Sequence, residues 1–257
     1  MTQPINLSIL DLRAEGFDNA SVNTLVPRAS VDVAVALDSV LPLIQDVADR
    51  GEDAIVEVTL ARDLVDPRPI RVSAEEISKA VAELPAELRS AIEIAIDRVR
   101  KVSEANLPDD TTVVLADGAS VHQRWLPVDS VGLYVPGGKA VYPSSVVMNV
   151  IPAQVAGVER LALASPAQKD FGGRPHPTVL ATAGLLGVTE VYSMGGPAAI
   201  AAFAHGIPQI GLEPVRLVTG PGNIYVTAAK RALRGRIGID SEAGTTEILI
   251  IADHSAN

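Results

Sequence analysis

The sequence predicts an α/β fold built on a mostly parallel sheet, and three observations carry that prediction. After residue 131, five apolar segments, "VGLYV", "VERLALA", "VTEVYSM", "VRLVT" and "TEILIIA", alternate with stretches of helix length, the pattern of parallel strands joined by helical crossovers. Three of these segments run directly into glycine, at Pro136-Gly137-Gly138, Gly195-Gly196-Pro197 and Gly220-Pro221-Gly222-Asn223. Before residue 110, apolar residues recur at three- and four-residue spacing among many carboxylates, which is the period of an amphipathic helix.

The elements follow in order. "VDVAVALDSVLPLIQDVADRGEDAIVEVTLARDL" and "SAEEISKAVAELPAELRSAIEIAIDRVRKVSEAN" read as helices. Ser73 followed by Glu76 fits a capping box, and Pro85 suits the opening turn of the next helix. Two β-rich runs flank Asp117-Gly118 in "TTVVLADGASVHQRWLPVDS", a hairpin signal. No fixed-period repeat or low-complexity segment interrupts the chain.

Composition narrows the function. A chain of 257 residues with 47% apolar content can bury a real core in one large domain or two smaller ones. The net charge of -10 argues against a nucleic-acid binder, whose affinity rests on clustered Lys and Arg. Without cysteine there is no disulfide framework, thiolate zinc site or thiol nucleophile. The opening "MTQPINLSILDLRAEG" lacks a basic and apolar leader, and no stretch approaches eighteen apolar residues. The expectation is a soluble, cytoplasmic protein with no membrane partner.

The chemistry is expected at the strand ends. In open parallel sheets ligands sit outside the carboxyl ends of strands, where glycine admits a close backbone and free N–H groups favour a phosphate. All four tyrosines, Tyr134, Tyr142, Tyr192 and Tyr225, lie within a few residues of these turns. Flat rings beside phosphate-ready turns suggest a nucleotide. A single such turn is most often simple strand-to-helix punctuation, three together favour a ligand, and Tyr192, in mid-strand, reads better as a core filler.

Several stronger signatures are missing. There is no GxGxxG fingerprint. Gly132 to Lys139 resembles a P-loop but is one residue too long, with Ala140 where a magnesium-binding hydroxyl belongs, so kinase or ATPase chemistry is rejected. The histidines, His122, His176, His205 and His254, are scattered. Asp240, Glu242 and Glu247 flank "SEAGTTE" and could be catalytic carboxylates or a solvated turn. The residues alone argue for a nucleotide-binding α/β protein without an assigned reaction.

"VGLYVPGGKAVYPSSVVMNVIPAQVAGV", "TGPGNIYVTAAKR" and "IDSEAGTTEILIIAD" resemble, in order and spacing, signature stretches of histidinol dehydrogenases. The likeness covers most of residues 110 to 253, with a weaker helical likeness from about 31. It implies NAD-dependent oxidation of L-histidinol to L-histidine through the aldehyde, the last step of histidine biosynthesis, with a zinc ion holding the substrate in a homodimer. It implies an incomplete Rossmann-like sheet domain at 131–236. A second, split α/β domain would take 31–130 and a return strand within 237–257, after an N-terminal segment at 1–30. Tyr134 and Asn223 match the family's nucleotide-contacting residues, and Thr246 matches a substrate-contacting hydroxyl.

Departures are also legible. The family's Gly-Gly-Ala-Gln is here Gly195-Gly196-Pro197-Ala198, without the glutamine that touches the nucleotide, and "GIPQIGLEPV" is shorter than the usual loop. The zinc-binding glutamine and histidine of a QAEH-like helix, the further aspartate and histidine ligands, and a glutamate and histidine pair for proton transfer have no counterpart in these 257 residues. No catalytic residue and no metal ligand is therefore assigned. The chain alone is expected to be inactive, and the alternative is a non-catalytic nucleotide-binding or assembly module.

Overall fold

The computed structural model describes residues 33–138, 140–242 and 250–256. Two compact units divide the chain, Asp32–Ile248 and Met1–Val31 with Leu249–Asn257. Every helix and strand named below belongs to the first; in the second, residues 250–256 are exposed and carry neither.

Four helices come first: α1 (Val33–Arg50), α2 (Glu52–Asp63), α3 (Ala74–Ala82) and α4 (Ala86–Ala105). The three- and four-residue spacing in α1 becomes one buried stripe of Ala36, Val40, Ile44 and Val47. The capping box at α3 is present. The Ser73 hydroxyl accepts from the Glu76 amide at 3.2 Å, and the Glu76 carboxylate accepts from the Ser73 amide at 2.9 Å.

The hairpin forms as expected, with β1 (Thr111–Ala116) antiparallel to β2 (Ala119–Gln123) across Asp117-Gly118. It stands apart from the main sheet, and every residue of both strands is exposed, including Val113, Val114, Leu115 and Val121. A two-stranded sheet with nothing over its apolar faces is at best marginally stable in water.

The rest is a three-layer α/β arrangement: β3 (Ser130–Tyr134), α5 (Pro143–Val155), β4 (Arg160–Ser165), α6 (Pro177–Leu185), β5 (Glu190–Ser193), α7 (Gly196–His205), β6 (Leu217–Thr219), α8 (Ile224–Leu233) and β7 (Gly238–Ile239). The five strands are parallel and lie in the order β5-β4-β3-β6-β7. Alternate side chains feed two cores, as the pleat requires. Val131, Leu133, Leu163 and Val191 join α3, α4, α5 and α6 on one face. Tyr134, Ala162, Ala164 and Tyr192 join α1, α2, α7 and α8 on the other. The helices of residues 33–105 thus cover the same sheet that the later crossovers cover.

A fifth parallel strand, β7, lies within "GRIGID", where the sequence predicts none. The segment at 246–252 is expected as a return strand of the second domain. Residues 250–252 are in no strand, and the remainder of that segment lies outside the described residues. At two residues, β7 is too short to show an alternation in sequence. Gly132 sits in mid-β3 under the Phe203 ring, where a Cβ would come within 2.6 Å. Its glycine serves sheet-to-helix packing, not a phosphate loop.

Among the described residues, no helix is long and apolar enough to cross a membrane.

Candidate functional site

The chain lays down β3, β4 and β5 in one direction and then crosses back to place β6 on the other side of β3. The strand order therefore reverses between β3 and β6. At such a switch point, the region outside the carboxyl ends of the strands is the usual ligand position in open α/β sheets. Two of the three glycine turns, 136–138 and 220–223, are the loops after β3 and β6, and the third opens α7 nearby.

The two loops touch. Gly220 has φ of +123°, and a Cβ there would lie 2.0 Å from the Tyr134 carbonyl oxygen. Only glycine can occupy both that conformation and that space. Gly220 is held from below: its amide donates to Asp240 Oδ2 at 3.0 Å, and its carbonyl accepts from Lys230 Nζ at 2.5 Å.

Asn223 forms the N-cap of α8, its Oδ1 accepting from the amides of Tyr225 at 3.1 Å and Val226 at 3.2 Å. Half of the side chain is thus structural, while its Nδ2 stays available to a ligand. The amides of Gly222, Asn223 and Ile224 have no acceptor among the described residues. Unpaired N–H groups at a helix N-terminus make an anion-binding end.

Tyr134 ends β3, and its side chain is buried, 4% exposed. Its hydroxyl oxygen accepts from the Gly196 amide at 3.0 Å, tying β3 to the first turn of α7. Burial pushes the phenol's pKa up, the Gly196 amide pulls it partly back, and the charge of Asp63 adds to the rise. The phenol stays protonated at neutral pH, so its O–H remains a donor.

The other tyrosines divide. Tyr142 and Tyr225 are exposed at the starts of α5 and α8. Tyr192 is fully buried, its hydroxyl bound to Glu190 at 2.8 Å and to the Gly211 carbonyl at 3.2 Å, the core role expected for it. At the ends of β4 and β5, Ser165 and Ser193 are partners in register, and their buried hydroxyls have no partner among the described residues.

Ala198, where the glutamine was expected, is 2% exposed within the core beside Tyr134. The missing amide is replaced by packing rather than by an empty place. Thr246 and Glu247 lie outside the described residues. Asp240 is exposed as a residue, with its carboxylate partly covered, and it pairs with Lys230 at 2.7 Å. Glu242 pairs with Arg231 at 2.6 Å.

Sequence reasoning missed Lys230. Its signal was present: Val226, Lys230 and Leu233 share one helix stripe, and a lysine on a buried stripe needs a partner.

A cavity of about 990 Å³ opens beside β7, lined by Arg216, Arg234, Arg236 and Asp240 among others. Its cations are engaged, Arg216 with Asp129 at 3.4 Å, Arg234 with Glu242 at 3.7 Å and Arg236 with the Ala204 carbonyl at 3.2 Å. The switch point between β3 and β6 differs from it in having amides without acceptors among the described residues.

The histidines do not converge on a metal. His122 is on the exposed hairpin, where Thr112 and Ser120 contact its ring, and His254 is exposed. His176 caps α6 and His205 ends α7. Among the described residues, no group of three or more His, Cys, Asp or Glu could hold a metal ion. This donor set does not fit a zinc site, and no step is derived through one.

Comparison with known proteins points in one direction. A family model described as histidinol dehydrogenase matches residues 26–257. The histidinol dehydrogenase of Leifsonia xyli subsp. xyli is 54% identical over 98% of the chain. That of Thermobifida fusca is also 54% identical over 98%. The crystal structure of histidinol dehydrogenase from Elizabethkingia anophelis superposes with a TM-score of 0.83 at 32% identity, covering 93% of the chain. The chain spans 58% of the Leifsonia protein, 56% of the Thermobifida protein and 55% of the Elizabethkingia chain.

Proposed function

The chain belongs to the histidinol dehydrogenase family, and on that premise we propose that it is the nucleotide-binding part of an enzyme that oxidises L-histidinol to L-histidine with NAD+. The observation that carries this reading is the switch point between β3 and β6. There Tyr134 ends β3 with its hydroxyl at the Gly196 amide, and Asn223 caps α8 beside three amides without acceptors among the described residues.

NAD+, when bound, supplies a hydride acceptor. The chain's own residues hold it. The amides of Gly222, Asn223 and Ile224 and the positive end of α8 receive a phosphate. Asn223 Nδ2 and the Tyr134 hydroxyl donate to oxygens of the nucleotide. Affinity is modest, because the family's glutamine is absent at Ala198; a lost hydrogen bond of this kind costs about 1–3 kcal/mol, or roughly ten- to a hundredfold.

Thr246 is proposed as a substrate contact on its hydroxyl alone. A second, split domain over 31–130 and 237–257 is proposed on the family resemblance alone, since α1–α4 of that range pack on the main sheet, and a homodimer is the proposed assembly. A cytoplasmic location fits a biosynthetic enzyme. A module with no reaction of its own has less support, since the family match runs over residues 26–257.

Oxidising an alcohol to an acid needs an oriented substrate, a base for its hydroxyl proton and an activated water. The described residues offer the nucleotide site without that set, so the 257 residues alone are proposed to give no turnover. The test is NADH formation from L-histidinol, zinc and NAD+, with the chain alone and then mixed with the C-terminal part of a full-length relative. Turnover by the chain alone contradicts the reading.

A further inference from the structure

Lys230 is the only charged residue among the buried polar side chains of the described residues, at 3% exposure. A buried ammonium is tolerated only when its protons are satisfied. Here two of them have acceptors: Nζ donates to the Gly220 carbonyl at 2.5 Å and to Asp240 Oδ1 at 2.7 Å. The other carboxylate oxygen of Asp240 accepts from the Gly220 amide at 3.0 Å. Asp240 follows β7 directly and is itself fixed, its amide donating to the Val218 carbonyl in β6 at 3.2 Å. Both polar groups of Gly220 are therefore gripped by side chains anchored in α8 and at the sheet edge.

The placement matters because of what Gly220 does. It bears the φ of +123° and the close contact with the Tyr134 carbonyl that joins the two loops at the switch point. Its carbonyl is turned inward to Lys230, while the next amides, of Gly222, Asn223 and Ile224, have no acceptor among the described residues.

We propose that Lys230 and Asp240 are positioning residues that hold the 220–223 turn in its nucleotide-accepting shape before the ligand arrives. This rests on the nucleotide reading above. A turn already ordered loses less conformational freedom on binding, so the pair acts on affinity without touching the nucleotide.

The test compares the 257-residue chain with Lys230→Met and with the charge-neutral double variant Lys230→Met/Asp240→Leu. Amide hydrogen exchange is read without nucleotide, and NAD+ affinity is read by titration. In Lys230→Met, where Asp240 still faces the Gly220 amide, that amide is expected to exchange at least about tenfold faster, with Leu133 and Leu163 unchanged. The NAD+ Kd rises about tenfold. If the stranded Asp240 charge prevents Lys230→Met from folding, the double variant carries the affinity comparison and the exchange comparison at Gly222 and Asn223. Unchanged exchange across the turn overturns the inference whatever the affinity does. Faster exchange with unchanged Kd overturns it as well, leaving a purely structural ion pair. A wild-type chain that never saturates with NAD+ refutes the nucleotide reading instead, and the exchange data then still decide whether the pair orders the turn.

Discussion

Replacing Gly220 by alanine strikes the one point where the two loops of the switch point meet. The new methyl would lie 2.0 Å from the Tyr134 carbonyl oxygen, and real Cβ atoms essentially never approach within 3.0 Å. The loops must then part by about 1 Å. Neither side yields cheaply, since both contacting atoms are backbone. Holding alanine at φ of +123° adds about 1–3 kcal/mol, and forcing an extra methyl into a packed contact adds a similar amount. The expected loss is about 2–6 kcal/mol. For a domain of this size that lowers Tm by roughly 4–24 °C.

Gly187→Ala is the control: its φ is +73°, and nothing lies within 4 Å of its Cβ position, so only conformational strain of about 1–2 kcal/mol applies. Thermal unfolding of both variants, followed by circular dichroism, measures the difference. A Gly220→Ala protein whose Tm matches that of Gly187→Ala, with unchanged NAD+ affinity, would refute the close contact between the loops.

Other outcomes separate structure from binding. Asn223→Asp keeps an N-cap acceptor for the Tyr225 and Val226 amides but replaces the donor with a carboxylate, so Tm holds while NAD+ binding weakens at least about tenfold; Asn223→Ala loses about 1 kcal/mol of stability as well. His176 Nδ1 accepts from the Thr178 amide, and burial holds its pKa below the ordinary value. The unfolded chain then binds the proton more readily, so stability falls as pH drops below about 6.5 and levels off below the folded value. Denaturant titrations of wild type and His176→Asn across that range should show a shallower slope in the variant, where partly buried His205, its pKa lowered too, still contributes. Burial raises the pKa of Asp63, so its ionised form destabilises the fold above that pKa and the penalty disappears in acid. Asp63→Asn should raise Tm at pH 7 and leave it unchanged near pH 3.

What the sequence showed depended on how local each signal was. The capping box at Ser73, the hairpin at Asp117-Gly118 and four of the five parallel strands each rest on a short run of residues with its own period or turn chemistry. The glycine turns were equally legible, but their convergence was not, because the switch point depends on β6 crossing to the far side of β3. The strand β7 was invisible at two residues. Asp240 stood out as a carboxylate near a turn, yet its partner Lys230 was hidden by the cationic pattern of α8, and only the fold brings the two to Gly220. The burial of Ala198 likewise belongs to the packing of α7 and not to the motif around it.

The proposed NAD+ site lies at the switch point between β3 and β6. Titrating the isotope-labelled chain with NAD+ and following its backbone amides by NMR tests this most directly. Saturable shifts are expected at Gly196, Gly222, Asn223 and Ile224, and their loss in Asn223→Asp. Shifts centred instead on Arg216, Arg234 and Arg236 beside β7, or no saturable shift at millimolar nucleotide, would contradict it.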